Sequence, residues 1–345
     1  MDLSPAAPHG RRMSGIRISD VAARAGVSAM TVSRVMNNRG AVKPETREAV
    51  LRAVEALGYA PNVAARSLAL GGLDRIGLIW SNPSAGYLSE FLLGALEGVR
   101  NHGGQLLVEQ CDDDAESEVA AVRRLAAGGA KGLVLPPPHG ESIAALAEAE
   151  RLGLKVVAVA AGSFRSEAGA VRIDDRAAAG VMTRRLLDLG HRRIGLITGA
   201  ANQSASAERV IGFQSEIDAC PGAEAIIEAG DFTYRSGLDA AGLLLDRPRP
   251  PTAIFASNDD MALGAVAVAH QRGLDVPRDL TVVGFDDIPM ATAVWPPLTT
   301  VRQPVARMAA EAVALLAEGA TGSDLVFPHA LIERGTSAPP RLTAS

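Results

Sequence analysis

The sequence predicts two unlike parts in one chain of 345 residues: an all-α helix-turn-helix headpiece, then an α/β body of two lobes, each on a parallel, doubly wound sheet. Three observations carry that reading. Two short helical patterns flank Gly26, and a third follows Pro44. From residue 75 to about 335, short apolar runs alternate with Ala- and Leu-rich helical patterns. Charge divides at the same place: residues 11–75 hold eleven Arg/Lys against five Asp/Glu, whereas residues 76–345 hold 23 against 33. A basic head on an acidic body is the electrostatic footprint of a nucleic-acid-binding module beside a body that is not one.

In the headpiece, Ser19 can cap the first helix by accepting from the N–H groups of its first turn. Val21, Ala22 and Ala25 follow at helical spacing, and Gly26 supplies the positive φ of a sharp turn. Ser28 caps the second helix, whose Val32 and Val35 should pack on Val21 and Ala22. Its other face carries Ala29, Met30, Thr31, Ser33, Arg34 and Asn37. That face is too polar for a core and has too few charge pairs for a plain solvated surface. It suits a DNA major groove. Arg34 can donate two bonds to guanine O6 and N7, and Ala29 and Met30 can touch a thymine methyl. Thr31, Ser33 and Asn37 suit phosphate oxygens, as does the helix N-terminus itself. Taken bare, the pattern also fits an ordinary helical bundle; the charge division favours the groove. Lys43 cannot cap by accepting a bond, but it can reach a phosphate, and Pro44 suits a first helical position.

Asn62 to Leu68 is helix-compatible but only about two turns long. Isolated helices below ~12–15 residues are marginal in water, so this hinge should order only on DNA and a second subunit. Leu70 to Leu73, with its two glycines, reads as a flexible joint.

The body supplies buried strands at Ile76–Trp80, Gln105–Glu109, Gly132–Leu135 and Val156–Val159, then at Arg193–Ile197, Ala225–Glu228, Ala253–Phe255 and Leu280–Val283. Helical patterns at 90–102, 116–127, 141–152, 177–189, 205–219, 235–246 and 260–272 separate them. Near-continuous apolar strands alternating with helices argue for parallel sheets covered on both faces. Two such sets exceed one comfortable α/β core, which suggests two lobes closing over a cleft at the carboxyl ends of the strands.

Other chemistries lack their signatures. There is no Walker loop, dinucleotide fingerprint, zincin motif or nucleophile elbow, so no cofactor and no enzymatic activity is expected. No two of the six His stand at metal-ligand spacing, so no metal is expected, and His191 reads as a satisfied polar residue at a helix–strand turn. Cys111 and Cys220 are isolated thiols, which fits a reducing cytoplasm. No apolar run reaches ~18–20 residues, and the first seventeen residues lack a signal peptide's apolar core.

Residues 18–68 closely resemble the headpiece of the LacI/GalR family of bacterial transcription repressors. The matching strings include Ala25-Gly26-Val27-Ser28, Thr31 to Val35 with Asn37, Thr46-Arg47, and Leu57 to Asn62. The resemblance implies that Ala29 and Met30 choose the operator sequence and that Arg34 reads a base. It also implies that Ser28, Thr31, Ser33, Asn37, Thr46, Tyr59 and Asn62 anchor the backbone. Leu68, beside Ala65 and Arg66, then stands where the family wedges a leucine into the minor groove; otherwise it is a packing residue in a linker.

The body is similar to the family's effector domain, related to periplasmic sugar-binding proteins, through Leu189 to Ile194, Ala256 to Gly264, Val283 to Asp287, and Pro297 to Val301 with Gln303-Pro304. Candidate effector contacts are Asp174, Arg209, Phe232, Asn258 and Asp286. Each Asp and Asn is, by itself, equally a turn or cap residue. Val305 replaces an aromatic frequent in the family, which leaves one stacking wall missing. A neutral sugar or glycoside suits this set, and a sugar acid is open through Arg209. The resemblance thus implies a homodimeric, cytoplasmic, nucleoid-associated repressor. It would bind pseudo-palindromic double-stranded operator DNA under control of a small carbohydrate, without a membrane partner. The alternative is a sugar-binding protein or carbohydrate-processing enzyme on the same α/β frame. The expected boundaries are a disordered extension at 1–15, headpiece at 16–60, hinge and linker at 61–73, first lobe at 74–173 plus 303–332, second lobe at 174–302, and tail at 336–345.

Overall fold

The computed structural model describes residues 18–36, 43–57, 75–81, 84–112, 114–162, 168–320 and 322–341. The extension, the hinge with Asn62, Ala65, Arg66 and Leu68, and also Asn37 and Tyr59 lie outside the described residues, as do the side chains of Ser33 and Arg34. The chain divides into two compact units, Met1–Gly72 and Leu73–Ser345.

The first unit holds α1 (Ile18–Ala25), α2 (Ala29–Met36) and α3 (Pro44–Leu57). Val21, Val32 and Val50 are wholly buried, with Ala22, Val35 and Ala53 beside them in one cluster, as the helical spacing predicts. Gly26 has φ +66° and open space where a Cβ would stand, so conformation rather than room selects glycine. Ser28 caps α2, its Oγ accepting from the Thr31 N–H at 3.1 Å. Ser19 is exposed in the first turn of α1 rather than at its cap, because the helix already includes Ile18.

The second unit repeats one topology. The first sheet comprises β1 (Arg75–Trp80), β2 (Gln105–Gln110), β3 (Gly132–Leu135), β4 (Lys155–Val159) and β5 (Gly169–Ile173), in the order β2-β1-β3-β4-β5. The second comprises β6 (Arg193–Ile197), β7 (Glu224–Glu228), β8 (Ala253–Ala256), β9 (Thr281–Asp286) and β10 (Thr299–Arg302), in the order β7-β6-β8-β9-β10. All ten run parallel within their sheets. Central strands such as β3 and β8 are apolar and buried throughout, because helices cover both faces. The connecting helices are α4 (Ala85–Asn101), α5 (Ala115–Ala127), α6 (Ile143–Arg151), α7 (Asp175–Asp188), α8 (Ser204–Ala219), α9 (Tyr234–Leu245), α10 (Asp259–Gln271), the short α11 (Met290–Ala293) and α12 (Val305–Glu318). A 3₁₀ turn, His139–Glu141, follows β3.

The chain crosses between lobes three times. It leaves the first lobe after β5 and returns after β10 to form α12, which packs on α4, and β11 (Asp324–Phe327), which extends the first sheet beside β5. It then crosses again, so β12 (Ala330–Ile332) pairs antiparallel with β10 in the second sheet. This corrects the expected first-lobe span of 303–332: its last strand covers an edge of the other sheet, where open N–H and C=O groups would otherwise stand. The expected tail is also partly structural. Thr336 is wholly buried and accepts from the Thr299 N–H at 2.9 Å, while the Ala338 carbonyl meets the His191 ring at 2.9 Å. His191 is buried and bonded through both ring nitrogens, the second to Thr252.

Candidate ligand cleft and exposed helix face

A hollow continuous with solvent lies between the lobes. Its walls come from the carboxyl ends of strands in both sheets: Ser84 and Tyr87 after β1, Pro137 after β3, Ala160 after β4, Gln203 and Arg209 after β6, Phe232 after β7, Asn258 after β8, Asp286 at the end of β9 and Gln303 after β10. That is where doubly wound sheets place ligands. Backbone strain gathers here. Ala160, Phe232 and Asp286 adopt φ of 55°, 70° and 113°. Such conformations cost about 1–3 kcal/mol each outside glycine and persist where surrounding structure enforces them.

Arg209 organises the second-lobe wall. Only 4% exposed, it donates from Nε to Asp175 Oδ1 at 2.9 Å and from Nη1 to the Ser257 carbonyl at 2.5 Å. Its guanidinium stacks on Phe285 at 3.7 Å. Burial raises the Asp175 carboxyl, and the Arg209 charge opposes that rise. Burial pushes Asp286 up to about 7, against the Arg209 charge and a 2.6 Å hydrogen bond from Gln303 Nε2. Phe232 lies flat against Gly199, where a Cβ would stand 1.9 Å from the ring.

Two bridges join the lobes at the cleft. Ser84 Oγ donates to Asp260 Oδ2 at 2.5 Å. Glu141, from the 3₁₀ turn of the first lobe, accepts from the Ser204 N–H of the second at 3.0 Å and from the Ser204 hydroxyl. The residue at the cap of α8, Gln203, makes no side-chain cap bond, so this helix is capped from the opposite lobe.

Four of the five expected effector contacts, Arg209, Phe232, Asn258 and Asp286, meet in this cleft. Asp174 does not. It is exposed and caps α7, accepting from the Ala177 N–H at 2.9 Å, while its neighbour Asp175 turns inward to Arg209. Asn258 lines the cleft with its amide already engaged: Oδ1 accepts from the Met261 N–H and Nδ2 donates to the Phe232 carbonyl, both at 2.9 Å. Sequence reasoning missed Ser84, Tyr87, Gln203 and Gln303. Tyr87 was findable, as one of three tyrosines and close behind an apolar strand. Its ring stands in the cleft, although no aromatic occupies position 305.

In the headpiece, Val32 and Val35 face the core of α2, while Ala29 and Ser28 are exposed and Met30 is 66% exposed. Thr31 and Thr46 are half-buried. An apolar Met left that open on a helix is available for a contact outside the domain. Among the described residues, no group of three or more His, Cys, Asp or Glu could hold a metal, and no helix is long and apolar enough to cross a membrane.

The two units together define a helix-turn-helix DNA reader joined to a two-lobed ligand binder. Residues 17–62 match the model of bacterial regulatory proteins of the lacI family, and residues 183–337 that of the periplasmic-binding-protein-like domain. Catabolite control protein A of Priestia megaterium is 32% identical over 327 residues, covering 91% of this chain and 97% of that protein. The transcriptional regulator MalR of Streptomyces coelicolor is 35% identical, covering 93% and 96%. Among solved structures, a complex of the transcriptional regulator CelR with cellobiose matches with TM-score 0.70 and 32% identity, covering 93% of this chain and 99% of that one. The Lac repressor dimer bound to operator and the anti-inducer ONPF matches with TM-score 0.73 and 27% identity, covering 94% and 100%. The chain belongs to the lacI family of DNA-binding transcription regulators.

Proposed function

We propose that the chain is a homodimeric repressor, in which two headpieces read a pseudo-palindromic operator and a small carbohydrate between the lobes sets operator affinity. The observation that carries this is the convergence of Arg209, Phe232, Asn258 and Asp286 on one interlobe cleft, in a chain that also bears the exposed face of α2. Ala29 and Met30 choose bases through apolar contact, and Arg34 donates to a guanine. Ser28, Thr31, Ser33, Asn37, Thr46, Tyr59 and Asn62 position the phosphates. Ala65, Arg66 and Leu68 enter the minor groove at the operator centre. The cellobiose in CelR and the operator in the Lac repressor complex support the two ligand classes.

The cleft binds rather than turns over its ligand. Its Arg209, Asp175 and Asn258 are engaged with one another or with backbone, which leaves them poorly placed to shuttle protons. Dimerisation is supported by apolar side chains exposed on the edge strands and their helices: Leu93, Leu96 and Val108 on α4 and β2, and Ile227 and Leu243 on β7 and α9. The protein works in the cytoplasm, beside the nucleoid. Effector binding changes DNA affinity only through different affinity for two states of the lobes, and ~1–3 kcal/mol of coupling gives about 5–150-fold. The test is to select an operator from a random duplex pool with the full chain, then titrate it with cellobiose, maltose, glucose and galactose. A bound sugar should move operator affinity by that factor; a sugar that binds without moving it contradicts the reading.

A further inference from the structure

We infer that Glu118 and His139 are positioning residues for effector sensing: buried inside the first lobe, they hold the turn that carries Glu141 and so set how readily the two lobes close. The consequence for ligand affinity rests on the effector reading above. His139 is wholly buried and Glu118 is 6% exposed, and neither is among the residues that line the cleft.

The cluster gathers at the carboxyl ends of the first three strands. Ser81 follows β1, Cys111 follows β2, His139 follows β3, and Glu118 stands in the first turn of α5. Glu118 Oε1 accepts from His139 Nδ1 at 2.8 Å, and Oε2 accepts from the Ser142 hydroxyl. With Nδ1 donating, Nε2 is the acceptor, and it takes the Ser81 hydroxyl at 2.7 Å. The Cys111 thiol closes another side, 3.6 Å from Nε2. Ser81, His139 and Glu118 have the spacing of an activated-nucleophile triad. A wholly buried base with both nitrogens engaged offers a substrate nothing, however, so the cluster holds rather than reacts.

What it holds follows from the chain order. His139 and Ser142 flank Glu141, and one carboxyl grips both. Ser142 also caps α6, its Oγ accepting from the Ala145 N–H at 3.1 Å. Between them lies a single 3₁₀ turn of three residues, closed by the Ser142 N–H donating to the His139 carbonyl at 3.2 Å. Such a turn has poor hydrogen-bond geometry of its own, so its anchors decide its shape. Fixed at both ends, it presents Glu141 to the N–H and hydroxyl of Ser204 in the second lobe. Only a group with two acceptor oxygens can take both donors at once, which is what the carboxyl at position 118 supplies. The link to affinity is a population. A ligand held by both lobes binds their closed form, so its apparent affinity falls with the fraction of molecules closed beforehand. The grip of Glu118 raises that fraction.

The test uses the full chain with Glu118→Leu, His139→Phe and Glu141→Ala singly, and with Glu118→Leu and Glu141→Ala together. In small-angle scattering without ligand, the two buried variants should be as expanded as Glu141→Ala. Isothermal titration with whichever of cellobiose, maltose, glucose and galactose binds should show about 5-fold weaker affinity, the factor that a typical cap contribution converts to. Glu118→Gln, which keeps an acceptor for His139 and can donate to Ser142, should restore most of both properties. In the Glu141→Ala background, Glu118→Leu should lower the melting temperature further yet add nothing to the radius or the affinity loss, because both act through one carboxyl. A purely structural role would lower the melting temperature alone. An unchanged radius in folded Glu118→Leu protein, or losses that add in full to those of Glu141→Ala, overturns the inference and leaves effector control standing. Should the buried variants not fold, Ser142→Ala removes one arm of the grip at a half-buried position, and the same two measurements decide. Failure of every sugar to bind removes the carbohydrate reading, while the radius comparison still decides the positioning role.

Discussion

Asp286 joins the second sheet to the cleft through a carboxyl that the fold holds at a cost. An ordinary aspartate titrates near 3.9 when unfolded; burial brings this one to about 7. The native state therefore binds its proton more tightly than the unfolded chain does. The favourable contribution is present below about pH 4 and is lost as pH rises through 7. Asp286→Asn removes the titration while keeping an acceptor for Gln303. It should therefore raise the melting temperature at pH 8, by up to roughly 4 kcal/mol of stability, and change little at pH 4. Melting curves of both proteins without ligand, from pH 4 to 8, check this; a constant difference would contradict it. Arg209→Ala acts the other way, because it leaves Asp175 buried without its cation. We expect ~3–5 kcal/mol lost in urea unfolding, partly restored by Asp175→Asn in the same chain. At this scale the sequence was legible where a residue faces the cleft from a strand end, as Asp286 does, or from the second turn of the helix that follows a strand, as Arg209 does. Asp174 misled because position at a strand end does not say whether a side chain caps its own helix or turns inward, and its neighbour took the inward place. Tyr87 and Gln303 each leave a buried polar atom unpaired at the cleft, which only coordinates reveal.

Helices and strands were easier to read, because their signals are local. Buried parallel strands must be apolar at every position, so β1, β3, β4, β6 and β8 showed as continuous runs. β5 and β10 passed unseen although they lie inside their sheets. β11 alternates exposed and half-buried residues, and β12 is three residues long, so these two edge strands also passed unseen and the last lobe crossing with them. α8 shows what spacing cannot encode: its N-terminus is capped by Glu141, 63 residues upstream and in the other lobe. A cap supplied across the cleft stabilises the helix only while the lobes are together. Glu141→Ala should thus cost about 1 kcal/mol of stability, typical of a lost cap. It should also shift the lobes toward a wider separation without ligand. Small-angle scattering of the full chain should show a larger radius of gyration for the variant, which a saturating sugar reverses. An unchanged radius would mean that the bridge follows closure rather than holding it. On α2 the expectation is the reverse. Met30→Ala should leave stability within ~0.5 kcal/mol, because its side chain is 66% exposed, yet change the bases preferred in operator selection.

The whole molecule divides its labour along its charge. Residues 11–75 carry a surplus of six positive charges and residues 76–345 a surplus of ten negative ones. The two compact units meet at Gly72 and Leu73, inside the stretch where that sign changes. Neutralising phosphates releases counterions, so the head should bind any duplex with an affinity that falls steeply with salt, by about 0.9 in log–log slope per phosphate contacted. The body carries the wrong sign to do so. A fragment beginning at Leu73 should therefore lose binding to bulk DNA and heparin. It keeps the complete cleft, because every cleft residue and both lobe bridges lie beyond that point. Its melting temperature should rise with the same sugar, and by the same amount, as that of the full chain, since a ligand bound only by the native state stabilises it through its own affinity. Retained DNA binding by the fragment would mean that the body, despite its charge, touches nucleic acid. A lost sugar response would mean that the head completes the cleft. Either result would break the separation on which reading and sensing by distinct units depend, and the two assays report on it independently.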